Sequence, residues 1–330
     1  MNNILFDKVN ELISSADTIA ICSHINTDSD AVGSSLGLYH YLKNIGKKVD
    51  VFIDSVIPEN IKFLDEIEVI NDRQYKVYDL FIALDSNDEF RLGNNRPLFY
   101  KYKNNSLQID HHIEGNTQFC KINVVEKASS TCEIIAKFLF YIGANITPAI
   151  AKCLIAGTYT DTGKLSYSSA TPDTFITISN LLEKSNINVD SVTYPLYNSV
   201  LKKEFEVRKL GYSKVEFFED DQIAIICLSY EDIQNLGIEL FMTKGLLDIV
   251  MPLKSIKIVA LMTEFTPNTI YCSFRTKGDL SARRLAEFYG GNGHLNAAGC
   301  KIKSGILEAE KKTVIDNALK LIKGQLWLGF

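Results

Sequence analysis

The stretch Thr18 to Leu38, TIAICSHINTDSDAVGSSLGL, decides the fold. TIAIC is a short apolar, β-branched run of the kind that forms a strand buried on both faces. His24 ends it, and Asp28 and Asp30 occupy the loop entering a helix. Gly33, Ser34, Ser35 and Gly37 are small enough to let that helix pack closely on a sheet. A strand ending in polar residues and passing into a helix presents ligand groups at the carboxyl edge of a parallel sheet.

Working outward, KKVDVFID, VYDLFIALD and SLQIDHH repeat the apolar run between segments of helical periodicity. Residues 1–185 are therefore expected to form an α/β domain with a mainly parallel sheet flanked by helices. Ile134–Ile142 and Ala149–Thr158 carry one lysine each and read as largely buried helices behind that sheet. Residues 186–215 turn polar and charged and read as a helical linker. Residues 216–330 begin a new set: DQIAIICLS, SIKIVALMTEF and TIYCSFRTK as strands, and DLSARRLAEFY and EAEKKTVIDNALKLIK as helices, forming a smaller α+β domain.

Composition narrows the function. The chain has 330 residues, 46% hydrophobic and 23% charged, as expected for a folded globular protein of two domains. A net charge of −5 repels long polyanions, so long duplex nucleic acid is not an expected partner and any nucleic acid is short. The seven cysteines show no CxxC spacing and read as small buried residues of a reducing compartment. The N-terminus shows helical spacing of Ile4, Leu5, Val9, Leu12 and Ile13 rather than a leader, and no apolar run is long enough to span a bilayer. A cytoplasmic protein without a membrane partner is expected.

Four stretches carry the chemistry. HINTDSD brings His24, Asp28 and Asp30; FIALDSND brings Asp85; LQIDHH ends in Asp110, His111 and His112; and GTYTDTG brings Asp161. Histidine and aspartate ligands without cysteine favour manganese first, with magnesium or another divalent ion also accommodated. Five carboxylates in one crevice repel one another, and a pair of metal ions is the simplest neutraliser. Two such ions about 3.5 to 4 Å apart suit in-line attack of hydroxide on phosphorus.

These motifs closely resemble those of the DHH phosphoesterases, named for the triplet present here as Asp110-His111-His112. SFRTKGDLSARRLAEFYGGNGHLNAAGC resembles the signature of the DHHA1 domain, and the oligoribonuclease and phosphoadenosine phosphate (pAp) phosphatase group fits best. The resemblance implies one metal bound by His24, Asp28 and Asp85, and a second by Asp30, Asp85, His111 and Asp161. It implies His112 as acid or phosphate contact and Asp110 as support for the histidines. In the second domain it implies phosphate binding by Arg275 and by the glycine-rich turn of Gly290, Gly291, Gly293 and His294. Ser273, two residues before Arg275 on one strand, shares its side of the sheet. The implied substrates are RNA or DNA oligonucleotides of two to five nucleotides, cleaved to mononucleotides, and pAp, cleaved to AMP. A homodimer is compatible with the family.

Each motif alone has a plainer explanation, since an aspartate at a helix start is favourable without any metal and glycine clusters serve many turns. Four of the five histidines nonetheless fall inside these motifs, and only His40 is left as an ordinary packing residue. Competing readings are a pApA or cyclic di-AMP phosphodiesterase, a manganese-dependent inorganic pyrophosphatase, a longer single-strand exonuclease, and a nucleotide-sensing module without catalysis. The intact set of acids and histidines disfavours the last.

Overall fold

The computed structural model describes residues 3–325 apart from 244 and 294. The chain divides into two compact units, Met1–Ser199 and Val200–Phe330.

In the first unit α1 (Asn3–Ser15) leads into β1 (Thr18–Ser23), α2 (Ser29–Asn44) and β2 (Lys48–Ile53). β3 (Leu80–Leu84), α3 (Arg96–Tyr102), β4 (Ser106–Asp110) and β5 (Ile122–Val125) follow. α4 (Thr131–Tyr141), α5 (Pro148–Asp161), α6 (Pro172–Ser185) and the short α7 (Asp190–Thr193) complete it. The strands lie in the order β2-β1-β3-β4-β5, and every pair is parallel. Alternation along each strand sorts the two faces. Ile19, Ile21, Ile82 and Ile109 meet α1, α2, α4 and α5 in the main core, whereas Ala20, Cys22, Phe81 and Ala83 pack against Phe99 of α3 and Phe119.

Close approach of α2 and α5 depends on three missing side chains. A Cβ on Gly33 would lie 2.4 Å from the Cys153 carbonyl oxygen, one on Gly37 2.6 Å from Leu154 Cδ2, and one on Gly157 2.9 Å from the Asp30 Cα. Gly157 thus lets α5 rest on the first turn of α2. Asp161 follows it by one helical turn, on the same face.

The second unit contains α8 (Lys202–Ser213), β6 (Val215–Phe218), β7 (Ile223–Leu228), α9 (Tyr230–Leu236), α10 (Leu240–Thr243) and α11 (Leu246–Val250). It continues with β8 (Ile258–Thr266), β9 (Thr269–Thr276), α12 (Ala282–Glu287), β10 (Asn292–Gly293), β11 (Ala297–Lys303) and α13 (Leu307–Ile322). Its sheet runs β10-β11-β9-β8-β7-β6. β7 and β8 are parallel and the other pairs antiparallel. α12 and α13 cover one face through Ile225, Ile258, Cys272, Phe274 and Leu285, and α8, α9 and α11 cover β7 and β8 on the other through Ile226, Val259 and Leu261.

The segment read as a linker is shared between the units. Val192 and Leu196 enter the core of the first, while Val207 of α8 enters a core of the second. Its charged surface signalled a connection, but its sparse apolar positions each commit to one body. Among the described residues no helix is long and apolar enough to cross a membrane.

Candidate metal centre and phosphate-binding face

Three adjacent strands deliver the centre. β1 ends at Ser23 and is followed by His24, β3 ends before Asp85, and β4 ends at Asp110 before His111 and His112. The carboxyl ends of neighbouring parallel strands converge, as open α/β sheets require of their ligand sites. Asp28 is the N-cap of α2 and Asp161 its counterpart at the C-terminal end of α5.

His24 Nε2 lies 3.4 Å from Asp85 Oδ2 and 3.8 Å from Asp28 Oδ2. His111 Nε2 lies 3.3 Å from Asp161 Oδ2, 3.6 Å from Asp85 Oδ1 and 3.9 Å from Asp30 Oδ2. Potential ligand atoms of His24, Asp28 and Asp85 fall within 4.8 Å of one another, as do those of Asp30, His111 and Asp161, and those of Asp85, His111 and His112. Asp85 spans two of these groups.

Backbone geometry serves the arrangement. Asp85 sits at φ 54° and Asn26 at φ 57°, left-handed conformations that aspartate and asparagine tolerate better than most residues. Asp28 divides its carboxylate: Oδ1 accepts the amides of Asp30 and Ala31, capping α2, and leaves Oδ2 facing His24. The plain capping role and the cluster role are held by different oxygens of one residue.

The surrounding shell contains residues the sequence did not single out. The Thr131 and Cys132 amides, at the start of α4, donate to the two oxygens of Asp30 at 2.7 and 2.9 Å. The Thr131 hydroxyl donates to Asp85 Oδ1 at 2.9 Å. Asp110 is buried and accepts from the His112 amide, His112 Nδ1 and Asn116 Nδ2, so it orients His112. Nothing in the stretch Ala128 to Thr131 signals contact with carboxylates so distant in sequence.

The electrostatics are those of crowded acids. Burial, then the charges of Asp85 and Asp161, holds the Asp30 carboxyl well above its ordinary pKa. Burial, then Asp85 and Asp28, pushes Asp161 up to about 9. Burial works against ionisation of Asp85 too, but contact with His24 and the charges of His111 and His112 hold it down at about 2. The Asp110 hydrogen bond raises His112 to about 9, against the effect of burial.

Whether a cation fits can be judged from one atom. His111 Nε2 is buried, faces three carboxylates and has no hydrogen-bond partner among the described residues. A ring nitrogen in that position is costly unless something occupies it. His24 Nδ1 is 2.7 Å from the Ile25 carbonyl and His111 Nδ1 is 3.4 Å from that of Ala128. Donation to these carbonyls leaves each Nε2 lone pair free, as in metal-binding histidines whose other ring nitrogen is tied to a carbonyl. The donor set, nitrogen and carboxylate oxygen without sulfur, fits a divalent ion.

In the second unit, Tyr271, Ser273 and Arg275 alternate with buried Ile270, Cys272 and Phe274 along β9 and share its more exposed side. Among the described residues no carboxylate pairs with the Arg275 guanidinium, whose Nη1 donates only to the Phe274 carbonyl. Gly299 faces Ser273 and Ala297 faces Arg275 across β11, keeping the floor between them low. The glycine turn is engaged in the fold of its own unit. The Gly290 and Gly291 amides donate to Glu287 and Ala286, closing α12, and that of Gly293 donates to Asn292 Oδ1. A Cβ on Gly291 would lie 2.3 Å from the Gly299 oxygen, so these glycines admit close backbone packing. His294 lies outside the described residues.

Comparison with known proteins supplies the family. Residues 18–158 match the model of the DHH family N-terminal domain and residues 228–327 that of the DHHA1 domain. A protein of Thermus thermophilus named bifunctional oligoribonuclease and PAP phosphatase is 25% identical, over 90% of this chain and 88% of the relative. A Streptococcus mutans protein named as a probable enzyme of the same kind is 25% identical over 94% and 97%. The crystal structure of an exopolyphosphatase-related protein from Bacteroides fragilis superposes with a TM-score of 0.87 and 29% identity, covering 98% of this chain and 97% of that one. With both domain models matched in order and the family's triplet standing at the end of β4, the chain belongs to the DHH/DHHA1 family of phosphoesterases.

Proposed function

We propose that this protein hydrolyses oligonucleotides of two to five nucleotides to mononucleotides, and pAp to AMP, with two divalent ions of which manganese is the first choice. The observation that carries the reading is His111 Nε2, buried among Asp30, Asp85 and Asp161 with no hydrogen-bond partner in the described residues. The names of the Thermus thermophilus and Streptococcus mutans relatives support the substrate class.

His24, Asp28 and Asp85 would hold one ion, and Asp30, Asp85, His111 and Asp161 the other. When bound, divalent ions supply Lewis acidity toward phosphoryl oxygens and lower the pKa of water. The protein's own groups do the rest. The α4 amides and Thr131 fix Asp30 and Asp85. Carbonyls of Ile25 and Ala128 set the histidine tautomers. His112, 46% exposed at the rim and charged at neutral pH through Asp110, donates a proton to the departing oxygen. Arg275 provides a bidentate guanidinium for a substrate phosphate, with Ser273 beside it.

Product analysis tests this reading. Pure protein with Mn²⁺ or with chelator is given 5′-phosphorylated dinucleotides, a long RNA, pAp, cyclic di-AMP and pyrophosphate in parallel. Metal-dependent release of mononucleotide from the dinucleotides and of AMP from pAp is expected. Turnover of pyrophosphate alone, or of nothing, contradicts it.

A further inference from the structure

The loop that follows Asp161 is built with unusual stiffness and ends in an exposed ring. Gly163, Lys164 and Leu165 are successively left-handed, at φ 54°, 61° and 62°. For a lysine and a leucine this conformation is strained and persists only where surroundings impose it. They do so here through backbone bonds from Lys164 to Tyr159, from Ser166 and Tyr167 to Thr162, and through the Thr162 hydroxyl, which accepts the Leu165 amide.

The loop carries two groups of the kinds that meet a nucleotide, an aromatic ring and an ammonium. Tyr167 lays one face of its ring on Gly163, where a Cβ would sit 2.4 Å from the ring, yet the residue is 63% exposed. Among the described residues Lys164 has no carboxylate partner, and its Nζ stands 4.3 Å from the centre of the Tyr197 ring. A stiff aromatic face, and an ammonium with no carboxylate partner among the described residues, thus stand on the loop that leaves α5 directly after Asp161 and is tied back to Tyr159 and Thr162. A tyrosine kept for packing alone has no need of a strained loop to hold its ring in solvent.

We propose that Tyr167 is a stacking platform for one nucleobase of the substrate, with Lys164 meeting the phosphate attached to that nucleoside. Stacking on an aromatic side chain tolerates any base, because each presents a π face. The site so described selects nucleotides over base-free phosphoesters without selecting sequence. The inference rests on the nucleotide-hydrolase reading and adds to it the residue that recognises the base.

The test compares Tyr167→Ala and Tyr167→Phe with the unaltered protein on 5′-phosphorylated diadenylate and on its two analogues, each lacking one base. Tyr167→Ala is expected to raise KM for diadenylate about tenfold or more with kcat little changed. The difference should vanish on one of the two analogues, and Tyr167→Phe should behave as the unaltered protein. Equal KM values for Tyr167→Ala and the unaltered protein on diadenylate, or the same loss on every analogue, would overturn the proposal. If the unaltered protein turned over none of the three, the nucleotide-hydrolase reading would fall. Equilibrium dialysis of the same probes would still decide the stacking site, through the presence or absence of a Tyr167-dependent gain from the base.

Discussion

Thr131 Oγ1 donates a 2.9 Å hydrogen bond to Asp85 Oδ1, while Asp85 Oδ2 faces His24 Nε2 at 3.4 Å. The carboxylate that spans two ligand groups is thus fixed from behind by a buried hydroxyl. Thr131→Val keeps the shape and the amide to Asp30 but removes that donor. We expect Mn²⁺ affinity or activity to fall about 10- to 100-fold, and Thr131→Ser to restore most of it. Calorimetric titration of Mn²⁺ into both variants checks this; equal affinities would remove the positioning role.

Protons must leave as metal arrives. With Asp161 up at about 9, that carboxyl holds a proton at neutral pH in the metal-free centre, and burial with the neighbouring acids pushes Asp30 in the same direction. Binding should therefore release protons, seen as a binding enthalpy that varies with the ionisation enthalpy of the buffer.

The same shift sets a stability profile without metal. An unfolded aspartate titrates near 3.9, so between about 4 and about 9 the folded chain holds a proton on Asp161 that the unfolded chain has lost. The contribution is full below about 4 and is lost as pH climbs through about 9. Thermal midpoints of chelator-treated protein should fall over that window for this group, and Asp161→Asn should flatten the fall. An identical slope in the variant would assign the pH dependence elsewhere.

Asp85→Ala and Arg275→Ala should separate chemistry from binding. Loss of Asp85 takes a group from two ligand sets and should abolish turnover. Loss of Arg275 removes a charged donor from phosphate, about 1.5–3 kcal/mol, and should appear chiefly as a raised KM. Steady-state kinetics on one dinucleotide suffices, and small equal effects would sink both assignments.

Gly157→Ala probes the helix contact that supports the centre. Its Cβ would meet Cys132 Sγ at 2.4 Å and the Asp30 backbone at 2.9 Å. Urea unfolding should show a loss of about 1–3 kcal/mol, the usual range for overpacking, together with weaker Mn²⁺ binding. Unchanged values for both would show that α5 can shift without disturbing Asp30.

Four of the five strands of the first sheet were legible because they are largely apolar runs ending in acids or histidines, whereas β5, the short edge strand INVV, has no such ending. β11, AAGCKIK, escaped because its outward positions are alanine, glycine and lysine, which carry no strand signal apart from their partner. The six acids and histidines of the centre were visible as motifs. Thr131 was not, because a hydroxyl at a helix start looks the same whether or not it also reaches Asp85. At the glycine turn the sequence marks small residues, but only the fold reveals that the Gly290 and Gly291 amides close α12.

The central claim is that His24, Asp28, Asp30, Asp85, His111 and Asp161 form a centre for two divalent ions. Counting bound Mn²⁺ per chain by calorimetry, for the unaltered protein and for Asp85→Asn, tests it most directly. The account predicts two ions in the first and a marked loss in the second; no binding to the unaltered protein, or binding untouched by Asp85→Asn, would contradict it.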